Sequence, residues 1–119
     1  MNNRLFRGDV WWVDFEPVKG HEQGETRPAL IVSHNQLNNS PAELVIVVPL
    51  TTKEKRYKSV VRIPKGQLAS EKDSFVLCDQ IRAISTDRLK HKIGSINRDL
   101  LDSVSDVLFT ILGLESPGE

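Results

Sequence analysis

The apolar residues of this chain fall in short runs, and that grain limits the possible folds more than any other feature. The longest run, Leu44 to Leu50, is LVIVVPL, far short of the roughly 20 apolar residues that span a bilayer as a helix. Ala29 to Ser33 is a second such run. Short runs bounded by turn residues are the pattern of strands buried on both faces. Arg7 to Phe15 also reads as a strand, with Trp11, Val13 and Phe15 on one face and Val10, Trp12 and Asp14 on the other. Val60 to Ile63 and Ser74 to Ile84 add further strand candidates. Only near the C-terminus does the period change: Leu100, Leu101, Val104, Leu108, Ile111 and Leu112 recur at the spacing of a helix with one apolar face. Asn97 is placed to cap that helix, Asp99 suits its positive first turn, and Gly113 ends it.

The segments between these elements are loops by composition. Glu16 to Arg27 carries Pro17, Gly20 and Gly24 among polar residues, and it is long for a plain connection, as functional loops often are. His34 to Glu43 is polar and turn-rich, and Pro64 to Asp73 suits a turn with a short helical piece. Strands first and a helix last imply the α+β class: an antiparallel, partly closed sheet with a helix across it. A chain of 119 residues is expected to form one domain, 1–119, whose core needs neither disulfide nor metal. Glu115 to Glu119 is expected to fray.

Charge and cysteine content narrow the function classes. Sixteen basic residues balance sixteen acidic ones, so the chain lacks the overall positive field of a dedicated nucleic-acid domain, and any such contact must be local. The charge is segregated: Lys53, Lys55, Arg56, Lys58, Arg62 and Lys65 surround a single acid, Glu54, whereas Asp99, Asp102, Asp106, Glu115 and Glu119 make the C-terminal end acidic. The single cysteine, Cys78, permits no internal disulfide and no cysteine-rich zinc site, and its apolar setting reads as a buried small hydrophobe. No H-E-x-x-H motif, paired cysteines or carboxylate cluster points to a metal. MNNRLFRGDV has no apolar signal core, so a cytoplasmic protein without membrane contact is expected.

RGDVWWVDFEPVKGHEQGETRPALIVS, from Arg7 to Ser33, resembles the N-terminal signature of the MazF/PemK family of bacterial toxins, with its strand, G-x-EQ loop and RPALV-like second strand. VVPLTT (Val47 to Thr52), SFVLCDQIRAIS (Ser74 to Ser85), the Arg88–Leu89 dipeptide and Gly94 extend the likeness along nearly the whole chain. The resemblance implies a small SH3-like antiparallel β-barrel with a C-terminal amphipathic helix. It also implies a homodimer that cuts single-stranded RNA without metal or cofactor and is held in check by a cognate antitoxin. The same fold serves toxins that poison DNA gyrase without cutting anything, so the fold does not decide the activity. What favours the nuclease is carried over residue by residue. Arg27 matches the family's active-site arginine, Thr51 its active-site threonine, Glu22 a loop acid used by some members, and Asp79 and Gln80 positions that face bases.

These residue types suit RNA cleavage, in which the 2′-hydroxyl attacks the adjacent phosphate and the enzyme orients the strand, moves protons and stabilises the added charge. A guanidinium is permanently cationic and its fork matches two phosphate oxygens, which fits Arg27; taken alone, such an arginine is more often a surface ion pair. Thr51 can orient a phosphate or the 2′-hydroxyl, but it is a poor unaided base and, taken alone, is an ordinary strand residue. Lys53, Lys55, Arg56, Tyr57 and Lys58 follow directly and offer cations for a backbone and an aromatic for stacking. Trp11 and Trp12 could also stack bases, though a strand usually buries at least one. His21, His34 and His91 lie in polar sequence and read as solvated surface residues.

Overall fold

The computed structural model describes residues 4–16, 20–21 and 25–114. Its elements, in chain order, are β1 (Asp9–Asp14), β2 (Thr26–Ile31), a one-turn helix α1 (Asn35–Asn38), β3 (Leu44–Thr51), β4 (Val60–Ile63), β5 (Ser74–Leu77), β6 (Arg82–Ser85), β7 (Leu89–Ser95) and α2 (Arg98–Ile111). The period-two pattern of the central strands buries both faces of the sheet. Val10, Leu30 and Val48 sit side by side on β1, β2 and β3. They join Leu50, Ile63, Leu68, Val76 and Cys78 in one apolar layer, which Leu101, Val104 and Leu108 of α2 cover. The opposite face carries Trp11, Val13, Phe15, Ala29, Ile31, Val45, Val47 and Ile84, closed by Leu5. Burying each helix side chain contributes about 1.5–3 kcal/mol relative to leaving it in water, enough to hold α2 down.

Both ends of α2 are as the sequence implies. The Asn97 side chain accepts from the Leu100 amide at 2.9 Å, Asp99 lies in the first turn, and Gly113 takes φ +68 just beyond the last turn. Arg7 ties the helix to the sheet: its Nε donates to the Val32 carbonyl at 3.2 Å and its guanidinium also donates to Ser105 Oγ.

All strand pairs are antiparallel, in the order β4-β5-β3-β2-β1-β7, with β6 added on β3. The α+β class and terminal helix are as expected, but the barrel is not closed, because β4 and β7 end the path without pairing to each other. The reason lies in β3, one edge of which is shared. Leu44 to Val47 pair with β6, while Leu50 and Thr51 pair with β5. Between β5 and β6 a 3-10 turn, Cys78–Gln80, breaks what the sequence suggests is one strand, and it is fixed by a bond from the Cys78 amide to the Ser59 carbonyl. The sheet forks there and curls instead of closing.

Other departures are local. Pro64 to Asp73 forms turns and no helix. The loop after β2 contains α1, capped by His34, whose Nδ1 accepts from the Gln36 amide at 3.0 Å. Strand β7 was not foreshadowed by any alternation of apolar residues. Two register shifts against β1, between Val10 and Trp11 and between Trp12 and Val13, put Ile93 and Lys90 out of step and erase the period of two.

Candidate functional site

Strands β2 and β3 pair at Ala29–Pro49, Leu30–Val48 and Ile31–Val47. Extending this antiparallel register two residues beyond its last rung sets Arg27 opposite Thr51. The ladder has ended at that point, and the strands open into a cleft of about 560 Å³ lined by both residues. Trp12, Pro28, Leu50 and Ile93 supply its apolar wall, and Thr52, Lys53, Ser70 and Ser74 add polar groups. Arg27 and Thr51 are both half-buried where they line the cleft.

Local bonds orient the threonine. The Lys53 amide donates to Thr51 Oγ1 at 3.2 Å, which takes one of the oxygen's two lone pairs and leaves the hydroxyl able to donate its own hydrogen. Trp12 sits beside Pro28 on β2 and His91 on β7. Its ring lies 6.1 Å from the His91 ring at 48°, so this histidine, exposed as expected, packs next to the cleft. His34 is spent on the cap of α1, and His21 is exposed.

The loop leading into Arg27 is cinched at its base. The Phe15 amide donates to the Glu25 carbonyl at 3.0 Å, and Glu16 Oε1 accepts from the Glu25 amide at 2.6 Å. Arg88 Nη1 donates to the carbonyls of Asp14, at 3.0 Å, and Glu16. Glu22, the loop acid of the expected catalytic set, lies outside the described residues.

The basic run is divided by the structure. Lys53 lines the cleft, but Lys55 and Arg56 line a separate shallow depression of about 270 Å³, where Arg56 pairs with Glu54 at 2.6 Å. Tyr57 is 67 % exposed and Lys58 is exposed, and neither lines the cleft. Asp79 and Gln80 also stay outside it. The antiparallel course of β5 carries them along β3 away from Thr51, into the 3-10 turn against α2. Sequence reasoning did not anticipate Thr52, Ser70 and Ser74 in the wall; they are ordinary polar residues whose place depends on how the β4–β5 hairpin folds over the end of β3.

Among the described residues two ionisable groups are clearly perturbed. The Arg62 guanidinium beside Asp73, with the Lys65 amide, holds the Asp73 carboxyl below the usual carboxylate range. Burial, reinforced by the charge of Asp79, pushes the Cys78 thiol up to about 12, so it is an inert core residue rather than a nucleophile. Among the described residues no three His, Cys, Asp or Glu side chains gather as metal ligands would, and no helix is long and apolar enough to cross a membrane.

Residues 6–112 match the family model of PemK-like, MazF-like toxins of type II toxin–antitoxin systems. The chain belongs to that family. This MazF-like chain is 34% identical over 109 residues to endoribonuclease EndoA of Bacillus subtilis (strain 168), covering 91% of this chain and 94% of the relative. Its fold is similar to that of MazF from Deinococcus radiodurans, with a TM-score of 0.82 and 29% identity over 94% of this chain and 99% of the other. A MazE–MazF structure from the same organism matches with a TM-score of 0.78 and 29% identity, covering 96% of this chain and all of the other, 100%.

Proposed function

We infer that this MazF-like toxin is an endoribonuclease that cuts single-stranded RNA at short sequence motifs, and that Arg27 and Thr51 form the centre of its active site. The observation that carries the reading is the meeting of these two residues in one cleft at the open end of the β2–β3 ladder, beside Lys53 and an aromatic wall. The same observation weighs against a gyrase poison that makes no cut, which has no need of a phosphate-sized fork and hydroxyl in a recess.

In the mechanism, the RNA's own 2′-hydroxyl is the nucleophile. Its oxygen bonds to the neighbouring phosphorus, the bond to the 5′-oxygen of the next nucleotide breaks, and a 2′,3′-cyclic phosphate and a 5′-hydroxyl remain. Arg27 spreads its charge over the non-bridging oxygens as the phosphorane forms, and Thr51 donates its hydroxyl hydrogen to orient the phosphate. Glu22 is the carboxylate proposed to move a proton. Glu16, Glu25 and Arg88 tie together the base of the loop that leads into Arg27. Tyr57, Lys55, Arg56 and Lys58 sit further out and serve RNA segments beyond the cleft, and Asp79 and Gln80, in the 3-10 turn away from the cleft, offer base-edge contacts to more distant nucleotides. No metal or cofactor enters the scheme.

EndoA is named an endoribonuclease, and relatives have been solved as MazE–MazF assemblies. By extension this toxin works in the cytoplasm and is neutralised by a cognate antitoxin, whose acidic segment competes with RNA for the same cations. Phe109, Ile111, Leu112 and Leu114 remain exposed at the end of α2, which fits assembly into a homodimer.

The decisive experiment incubates the protein with long single-stranded RNA in EDTA and maps the fragment ends by phosphatase and kinase treatment. Cleavage with cyclic-phosphate and 5′-hydroxyl ends is expected. Ends bearing a 5′-phosphate that vanish in EDTA would replace this scheme with metal-activated water.

A further inference from the structure

The cleft does not end at Thr52. That residue also lines a second, more open groove of about 680 Å³, whose other walls include Arg62, Lys65, Lys72 and Asp73, with Phe75 in its floor. A single hairpin loop builds both depressions. From the turn between β4 and β5, Leu68, Ala69 and Ser70 face the cleft, while Lys65, Lys72 and Asp73 face the groove.

The charges in the groove are not equivalent. Asp73 is engaged by Arg62 Nε at 2.9 Å, and Glu54 by Arg56 at 2.6 Å, so both acids are largely neutralised. Among the described residues Lys65 and Lys72 have no ion-pair partner, and both are exposed. The backbone that carries them is nevertheless fixed. The Asp73 carboxylate accepts from the Lys65 amide at 2.9 Å, the Lys72 amide donates to Ser70 Oγ at 3.2 Å, and the Gly66 amide donates to the Ser70 carbonyl at 3.1 Å. Two exposed ammonium groups outside any close ion pair, one of them also acting at a distance on Asp73, stand on a braced loop in a groove that adjoins the Arg27–Thr51 cleft, and they suit a polyanion that runs through both.

Resting on the nuclease reading above, we propose that single-stranded RNA leaves the cleft over Thr52 and runs along this groove, with Lys65 and Lys72 each holding a backbone phosphate. The groove binds by charge and carries no base code. The depression lined by Lys55 and Arg56 adjoins this groove through Glu54, Arg62 and Phe75, whereas Tyr57 and Lys58 line neither.

The test compares cleavage of long single-stranded RNA by wild-type protein, by Lys65→Gln/Lys72→Gln, and by Arg4→Gln/Arg98→Gln, whose cations line none of these depressions. The groove variant should raise KM about tenfold at moderate salt and leave kcat unchanged. It should also flatten the plot of log affinity against log salt by about 1.4, the loss of two single-strand phosphate contacts. The remote variant should match wild type. If wild type cuts RNA and the groove variant keeps its KM and salt slope, the path is wrong and the nuclease reading stands. If wild type cuts no RNA, both fall. A loss in kcat without a change in KM, or an equal rise in KM in the remote variant, also overturns the path. Loss of binding to a polyglutamate peptide with RNA cleavage untouched would give the groove to a protein partner instead.

Discussion

The β2–β3 ladder has two ends put to opposite uses. At the sealed end Ile31 and Val47 face each other fully buried, β6 covers the outer edge of β3, and the neighbouring Ser33 and Asn38 are buried and hydrogen-bonded to each other. At the other end pairing stops at Ala29 and Pro49, and the next positions, Arg27 and Thr51, face a cleft. Prolines stand at this boundary on both strands, Pro28 and Pro49, and proline contributes no amide to continue a ladder. The same pair of strands thus supplies the rigidity at one end and the chemistry at the other. Fixed stems let a short ladder hold two functional heads in register.

The contrast predicts separable losses. The largest concerns the open end: Arg27→Ala should lower RNA cleavage by about 10²-fold to 10³-fold, or about 3–4 kcal/mol of barrier, as loss of one charge-stabilising donor does. Its thermal unfolding should change far less than its cleavage, because Arg27 belongs to neither apolar layer. Arg27→Lys should recover little, since a point charge cannot reproduce a two-pronged contact. Single-turnover rates together with melting curves decide the matter, and a folded Arg27→Ala protein that cuts like wild type would break the assignment. At the sealed end Ile31→Ala should show the reverse pattern. It should lose about 2–5 kcal/mol in urea unfolding through the cavity it leaves, with the surviving folded fraction retaining its kcat. A stable Ile31→Ala protein with poor catalysis would mean that the two ends are mechanically coupled rather than divided.

Much of this division was legible in the sequence. The alternation in Trp11, Val13 and Phe15 gave the faces of β1, and Asn97 and Gly113 gave the ends of α2, because each of those signals depends on local chemistry. Arg27 and Thr51 stood out only through the likeness to a family; their meeting depends on a register that the sequence does not display. Three features escaped for the same reason. Bulges opposite β1 concealed β7, the 3-10 turn at Cys78–Gln80 split an apparent strand, and the single basic cluster from Lys53 to Lys65 parted into different depressions once the β4–β5 hairpin folded. Asp79 and Gln80 were likewise grouped with the site by sequence motif, and the fork in the sheet carries them away from it.

The smallest predicted effect concerns the wall of the open end, which is braced by charge where the sealed end is braced by burial. Asp73 accepts from Arg62 Nε and from the Lys65 amide, and these contacts favour its ionised form, so its folded pKa lies below the unfolded value of about 4. The sign follows from linkage: the unfolded chain takes up a proton first as pH drops, so the contribution of Asp73 to stability is fully present above about pH 4 and is lost as pH falls through the lowered folded value. Asp73 is half-exposed and its partner Arg62 is exposed, so the effect is modest and salt-sensitive. Urea midpoints measured from pH 6 downward should therefore fall less steeply on the acid side in Asp73→Asn than in wild type, and the difference should shrink in high salt. Val45 and Val47, which hold the sealed end, carry no titratable group, so substitutions there should shift the whole curve without changing its shape. Parallel acid limbs for Asp73→Asn and wild type would show that the β4–β5 loop is not held by this carboxylate, and the charge-braced half of the contrast would fail.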